Sequence, residues 1–492
     1  MLILRARDRP AIWDRHKVQY VSTRGAASAS GFAEVMLAGL ARDGGLYVPD
    51  IQSGHWPRLE PQTIAAFAGR SYAEVAVEVI RPFTGDSISE ADLARMAREA
   101  YGTFRHPAVA PLTQLGVNTF ALELFHGPTL AFKDLAMQLL SRLMDHALKA
   151  RSERRTIVVA TSGDTGGAAV EAFRDRGQVD LVVLFPQGRV SDVQRRMMTT
   201  TNAANVSAIA IEGTFDDCQA IVKGMFNHHA FSDQVRLSGV NSINWARIVA
   251  QVVYYFTAAV ALGSPQRKIG FTVPTGNFGD VYAGYVAERM GLPIDRLVIA
   301  TNVNDILART LATGAYELRD VVATTSPSMD IQVSSNFERL LFDAYNRDAS
   351  AIRAVMGSLA QSRRFTLSAP ALVYIRGLFA AGRAGEDEVA AAMRTVKRET
   401  GNFVDPHTAV GIAVAEKEQR DPAVPMVVLS TAHAAKFPDA VEAACGARPQ
   451  LPDWLSDINQ RPERVTVLPA DQAAVERFVL ATSRAAQEGA AA

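Results

Sequence analysis

The chain has 492 residues, 48% apolar and 21% charged, with 51 basic residues balanced by 51 acidic ones. That length exceeds what one hydrophobic core serves, so two or three domains are expected, and the balanced charge excludes a field that would draw the protein to nucleic acid or membrane. Cys218 and Cys445 stand far apart, outside any Cys-x-x-Cys pattern, which excludes a disulfide framework or cysteine-rich zinc site and predicts a reducing, cytoplasmic setting.

Residues 1–17 mix Arg5, Arg7, Arg9 and Arg15 with Asp8 and Asp14, and the apolar stretch at 2–4 is too short for a signal-peptide core. A disordered extension is expected over 1–18. Residues 19–105 predict a mainly helical domain, opened by Tyr20-Val21-Ser22-Thr23-Arg24-Gly25 and punctuated by Asp43-Gly44-Gly45-Leu46-Tyr47-Val48-Pro49. Over 106–240, β-rich runs at 120–124, 156–160, 181–185 and 206–211 alternate with helical stretches, the rhythm of βαβ units in a parallel sheet. Residues 241–450 resume it, with strands at 269–273, 297–301 and 426–429 and helices at 279–290 and 304–313. Mainly helix is expected from Ser326-Pro327-Ser328 to 359 and over 380–398. The apolar run at 248–262 is interrupted by Gln251 and is shorter than the ~20 residues that span a bilayer, so it reads as a buried helix. Residues 451–492 predict a helical segment and, after Arg484, a frayed Ala-rich tail. The fold class is α/β, two parallel-sheet layers with a helical N-terminal domain.

Four motifs sit where apolar runs meet helical ones. His126-Gly127-Pro128-Thr129-Leu130-Ala131-Phe132-Lys133-Asp134 sets a lysine between a Gly-Pro turn and an apolar helix. Held among Leu130, Ala131 and Phe132, its amine would be desolvated, lowered in pKa and made nucleophilic enough for a Schiff base; a surface lysine opening a helix is the alternative. Thr161-Ser162-Gly163-Asp164-Thr165-Gly166-Gly167 joins a strand to a helix, so its N–H groups and hydroxyls would face an anion at the helix's positive end. A capped turn is the alternative, and no Gly-Lys-Ser/Thr follows to make a nucleotide loop. Pro274-Thr275-Gly276-Asn277-Phe278-Gly279-Asp280 repeats that arrangement with two glycines for close backbone approach, against a tight turn with a left-handed Asn. Thr431 follows the strand at 426–429, where its hydroxyl would face a ring nitrogen, with His433 and Lys436 within a helical turn; a cap and a solvated lysine are the alternative. No metal site is suggested.

Together these motifs resemble those of fold-type II pyridoxal-phosphate enzymes, whose architecture is that of the tryptophan synthase β chain. Longer stretches narrow the resemblance to threonine synthases of the bacterial and fungal kind. They are Ser22-Thr23-Arg24-Gly25, Asp43 through Pro49, Asn241-Ser242-Ile243-Asn244-Trp245-Ala246-Arg247, Ala300-Thr301-Asn302-Val303-Asn304-Asp305, Pro327-Ser328-Met329-Asp330-Ile331 and Ser334-Ser335-Asn336-Phe337-Glu338-Arg339. The resemblance covers about residues 19–445. It implies pyridoxal 5′-phosphate as cofactor and O-phospho-L-homoserine as substrate, with γ-elimination of phosphate and β-addition of water to give L-threonine. Lys133 is implied to bond the cofactor and serve as base, while Thr275, Gly276, Asn277, Phe278 and Gly279 cradle the cofactor phosphate. Thr431 is implied to face the pyridine nitrogen and Asp164 to lie against the cofactor. Ser162, Gly163 and Thr165 are expected at the substrate carboxylate, and Asn244, Arg247 and Lys436 at its phosphate. Asp164 departs from the Asn that many members of the wider fold carry, and a carboxylate cannot donate as an amide does. An unregulated monomer is expected. The competing readings are a phospho-lyase or threonine/serine dehydratase of the same fold, ending at a keto acid, and a noncatalytic protein that keeps the fold.

Overall fold

Two parallel sheets, each wrapped by helices, carry the chain beyond a helical N-terminal unit. The computed structural model describes residues 18–26, 30–51, 56–419 and 421–491, so the extension expected at 1–17 lies outside the described residues. The first sheet runs Thr466–Pro469, Val206–Glu212, Val179–Pro186, Arg155–Ala160, Leu237–Ser238, every pair parallel. Its central strand Val179–Pro186 is buried at every residue, which is why it reads as a continuous apolar run: helices cover both faces of such a sheet. The second sheet runs Phe379–Arg383, Ile294–Thr301, Ile269–Pro274, Met426–Ser430, Thr119–Glu123, Leu112–Gly116, with only the last pair antiparallel.

A contiguous division of the chain does not reproduce these sheets. Leu112–Gly116 and Thr119–Glu123 join the second sheet, although they precede every strand of the first. Thr466–Pro469 joins the first by pairing with Val206–Glu212, and the last helix, Arg484–Ala491, buries Ala485 and Ala486 where a frayed tail was expected. Arg484 anchors it, donating from Nε to Asp180 Oδ1 at 2.6 Å. The helix expected over 380–398 begins only at Glu386, because Phe379–Arg383 is an edge strand. Its Ala-Ala-Gly-Arg sequence lacks the branched side chains that mark strands. Gly382 is required there, since a Cβ would meet Val414 Cγ1 at 2.8 Å.

The helix Trp245–Ala261 is buried along nearly its whole length, as its apolar run predicts, and packs against Tyr72–Thr84, Lys133–Arg151 and Gly279–Arg289. The N-terminal unit is clasped to the second-sheet region through buried ion pairing. Arg24 donates from Nε and Nη2 to the two oxygens of Glu338 at 3.1 and 2.9 Å, and Thr23 Oγ donates to the same carboxylate at 2.6 Å. Among the described residues, no helix is long and apolar enough to cross a membrane.

Candidate active site

All four motifs leave the C-terminal ends of parallel strands: Thr119–Glu123 leads to the lysine loop, Arg155–Ala160 to Ser162, Ile269–Pro274 to Thr275, Met426–Ser430 to Thr431. Ligands of α/β proteins bind at that edge, where strands hand over to helix N-termini.

The lysine loop is a chain of mutual constraints. Asp134 accepts from Thr129 N–H and Thr129 Oγ, both at 2.7 Å, folding the loop back onto the start of its own helix. Gly127 permits this, since a Cβ would lie 2.5 Å from the Asp134 side chain. Leu130 takes a left-handed φ of 59°, and Phe132 N–H donates to Thr431 O at 2.8 Å while His433 N–H donates to Leu130 O at 3.0 Å. The loop is thereby laid against the exit of Met426–Ser430, the neighbouring strand of the same sheet, and Lys133 follows as the first residue of Lys133–Arg151.

Lys133 is buried, and its Nζ donates to Asp164 Oδ2 at 3.4 Å and lies 4.7 Å from the centre of the Phe132 ring. Burial lowers its pKa; Asp164 opposes this, and the cations of Lys436 and Arg247 push it further down. Such an amine is more readily neutral, hence nucleophilic, than a solvated lysine. Asp164, at the first turn of Asp164–Phe173, also accepts from Lys436 Nζ at 2.7 Å and Gln194 Nε2 at 2.9 Å. Burial alone would raise its pKa, but Lys436 and Lys133 more than offset that and hold it well below the usual carboxylate range.

Several of these side chains already have protein partners. Lys436 has no exposed surface, and two of the three N–H donors of its ammonium go to Asp164 and to Thr129 O, each at 2.7 Å. Asn244 is a helix cap: Oδ1 accepts from Ala246 N–H at 3.0 Å, and Nδ2 donates to Met36 O and Gly239 O at 2.8 and 3.1 Å. Gly163 contributes shape and no donor, because its N–H is taken by Thr161 Oγ at 2.9 Å. Its φ of 138° and a would-be Cβ 2.4 Å from the Gln194 amide carbon forbid a side chain. Thr275 spends its N–H on Ala300 O and its hydroxyl on Val273 O, at 2.8 and 2.6 Å, so it anchors the loop after it. Ser162 and Thr165 stay half-buried beside Asp164, and Thr431 is buried with its N–H on Thr408 Oγ at 3.3 Å.

The loop 276–279 is built to present N–H groups. Gly276 O accepts from Ser334 Oγ at 2.6 Å, and Asn277 O accepts from Asn336 N–H and Nδ2 at 3.1 and 2.9 Å. A trans peptide points its N–H opposite to its C=O, so the N–H groups of Asn277 and Phe278 are turned away from residues 334–336. Neither has an acceptor among the described residues. Phe278 pays for this with a left-handed φ of 64°, held by packing against Phe337 and Phe379. Gly279 then opens Gly279–Arg289, whose N-terminal dipole adds to the same anion-favouring field. Close by, Arg247 is buried with one hydrogen bond, to Val240 O at 3.3 Å, a partnerless Nε and no acidic partner among the described residues. Burial lowers its pKa to about 10, which leaves it charged at neutral pH. A buried guanidinium without a counter-ion is costly unless an anion joins it.

Gln194, Thr129, Asp134, Ser334 and Asn336 were not singled out from sequence as site residues. Gln194 carried a signal, the capping box Ser191-Asp192-Val193-Gln194, in which Gln194 Oε1 accepts Ser191 N–H. Its free amide nitrogen then reaches Asp164, a tertiary contact that no local pattern encodes. Among the described residues no group of acidic, His and Cys side chains could hold a metal ion.

Comparison with known proteins places the chain in a family. Residues 19–101 match the family description "Threonine synthase N terminus", 103–385 "Pyridoxal-phosphate dependent enzyme" and 408–479 "Threonine synthase, C-terminal". The chain is 50% identical to threonine synthase from Pseudomonas aeruginosa over 463 residues, covering 94% of this chain and 98% of that protein. It is 39% identical to the Saccharomyces cerevisiae enzyme, with 86% and 88% covered. A crystal structure of pyridoxal-phosphate-bound threonine synthase from Brucella melitensis superposes with a TM-score of 0.92 at 60% identity, covering 95% of this chain and 100% of that one. The yeast structure gives 0.89 at 36%, with 95% and 99% covered. The chain therefore belongs to the threonine synthase family of pyridoxal-phosphate-dependent enzymes.

Proposed function

We propose that this site converts O-phospho-L-homoserine and water into L-threonine and inorganic phosphate, with Lys133 as both the residue that bonds the cofactor and the base. The observation that carries the substrate assignment is Arg247, a buried cation without a counter-ion, near enough to Lys133 to depress its pKa. The cofactor fits the residues present: the unpartnered N–H groups of Asn277 and Phe278 suit its phosphate, and the desolvated amine of Lys133 suits its carbonyl carbon. When bound, that cofactor supplies a conjugated ring that withdraws electrons from the substrate's α-carbon.

The chain's own residues do the rest. Lys133 Nζ, once released by the substrate amine, takes the proton from the α-carbon, and burial lets it do so as a neutral base. Arg247 fixes the γ-phosphate and stabilises charge on the leaving oxygens. Thr431 is assigned to the ring nitrogen, where a neutral hydroxyl would stabilise a proton on that nitrogen far less than a carboxylate would. Ser162 and Thr165, at the N-terminus of Asp164–Phe173, are assigned to the substrate α-carboxylate.

Incubation with O-phospho-L-homoserine, with phosphate, threonine and 2-oxobutyrate measured together, tests the reading. Phosphate matched by threonine is expected; phosphate matched by 2-oxobutyrate would make the protein a lyase instead. For Arg247→Met we expect KM to rise roughly 10- to 100-fold, the worth of a charged hydrogen bond or two, with cofactor affinity kept. A loss of cofactor affinity with unchanged KM would move Arg247 to the cofactor phosphate.

Gly276→Ala is expected to weaken cofactor binding by about tenfold or more. Its Cβ would lie 2.6 Å from Ser328 O, a backbone atom that cannot swing aside, and overpacking of this kind costs about 1–3 kcal/mol. An unchanged cofactor titration would show that the loop relaxes without consequence.

A further inference from the structure

The described residues hold two buried lysines, and the reaction as drawn uses one. Lys436 is the more deeply buried, with no exposed surface and two acceptors at 2.7 Å, Asp164 Oδ1 and Thr129 O. Asp164 presents its other oxygen to Lys133 Nζ at 3.4 Å, while Gln194 Nε2 at 2.9 Å fixes the carboxylate plane from the side of Oδ1. One carboxylate thus stands between two ammonium groups where water is excluded, and charges there are weakly screened.

We propose that Lys436 is a positioning residue whose ammonium compensates the Asp164 carboxylate, so that the nitrogen of Lys133 gives up its proton more readily than it would facing Asp164 alone. The inference rests on the assignment of Lys133 as the cofactor-bonding lysine. Without Lys436, Asp164 would face Lys133 as an uncompensated anion and hold a proton on Nζ, where a base must be empty. The directions of shift agree: for Lys133, burial lowers, Asp164 raises, and Lys436 and Arg247 lower again. Of the other groups facing the cluster, Asp134 and Asp280 titrate on the acidic side of neutrality, so their step is read separately from that of Lys133, while His433 and Arg247 keep their charge states near neutral pH. Burial pushes Asp134 and Asp280 up to about 6 and the His433 imidazole down to about 4, while Arg247, at about 10, stays charged.

The test is a pH titration of the visible absorbance of cofactor-loaded protein, for wild type, Lys436→Met, Lys436→Arg, Asp164→Asn and the double variant Asp164→Asn/Lys436→Met. Lys436→Met should move the midpoint of the nitrogen at Lys133 up by about one to two pH units, the effect of losing one nearby charge. The acidic limb of kcat/KM should move with it, and Lys436→Arg should restore most of the shift. Asp164→Asn should move the midpoint down, and the double variant should lie near wild type, because charge has been removed in a pair. Weaker cofactor binding with an unmoved midpoint, or additive losses in the double variant, would reduce Lys436 to a brace for the Thr129 loop and overturn the proposal. If Lys436→Met fails to load cofactor, an unmoved midpoint in Asp164→Asn overturns it equally. A wild type that yields no threonine from O-phospho-L-homoserine refutes the substrate assignment alone, because the absorbance titration needs no substrate.

Discussion

Lys133→Ala is expected to fold, to lose on the order of 10^4-fold in kcat/KM, and to lose the cofactor's covalent attachment altogether. The size follows from one atom with two duties, since the same Nζ bonds the cofactor and takes the α-proton. Folding survives because the substitution removes a buried cation whose pKa burial already lowers, while Asp164 keeps Lys436 and Gln194 as partners. The apparent stability should stay within about 1 kcal/mol of the parent, a buried charge being a poor source of net stabilisation. Hydride reduction of the loaded parent, followed by peptide mapping, should place the cofactor on the peptide containing Lys133. Among the described residues Lys436 is the other buried lysine, and it is held by two acceptors at 2.7 Å. Label on Lys436, or a Lys133→Ala variant that still traps cofactor, would sink the assignment.

How far such a site can be read from sequence depends on whether the information is local. Strands such as Val179–Pro186 and Ile269–Pro274 are legible because both faces are buried, and so is the turn-helix junction after each. Local signals thus locate the lysine, both glycine loops and Thr431. They do not say which strand sits beside which: an apolar run fits any slot in a parallel sheet, so Thr119–Glu123 and Thr466–Pro469 cannot be assigned to their sheets without the tertiary fold. The partners of polar side chains are hidden for a related reason. Asn244 and Lys436 have the right chemistry for a phosphate, yet hydrogen bonds to other segments take both amide donors of Asn244 and two of the three ammonium donors of Lys436. Arg247 sits three residues beyond Asn244 on the same helix and differs only in that nothing claims its charge.

The family motifs outside the site do mechanical work, and Arg339→Ala shows how much depends on them. Arg339 is completely buried, with Nε donating to Tyr47 O at 3.0 Å, Nη2 to Ile243 O and Nη1 to Asn336 Oδ1. Its guanidinium also lies 5.6 Å from the centre of the Trp245 ring. One side chain therefore joins the motif at 43–49, the motif at 241–247 and the segment 334–339. A planar guanidinium can serve three acceptors in fixed directions, which an ammonium on a flexible stem cannot match. Truncation leaves three buried acceptors and a void, and we expect it to cost about 3–5 kcal/mol, read as a shift in denaturant midpoint. The loss should reach the cofactor too, because Asn336 is the group that turns the Asn277 carbonyl away and so exposes the N–H of Phe278. Cofactor affinity should fall with stability in Arg339→Ala, and Arg339→Lys should recover only part of either. Stability within about 1 kcal/mol of the parent would refute the clasp. A destabilised variant that binds cofactor as tightly as the parent would show that the phosphate loop holds its shape without Asn336.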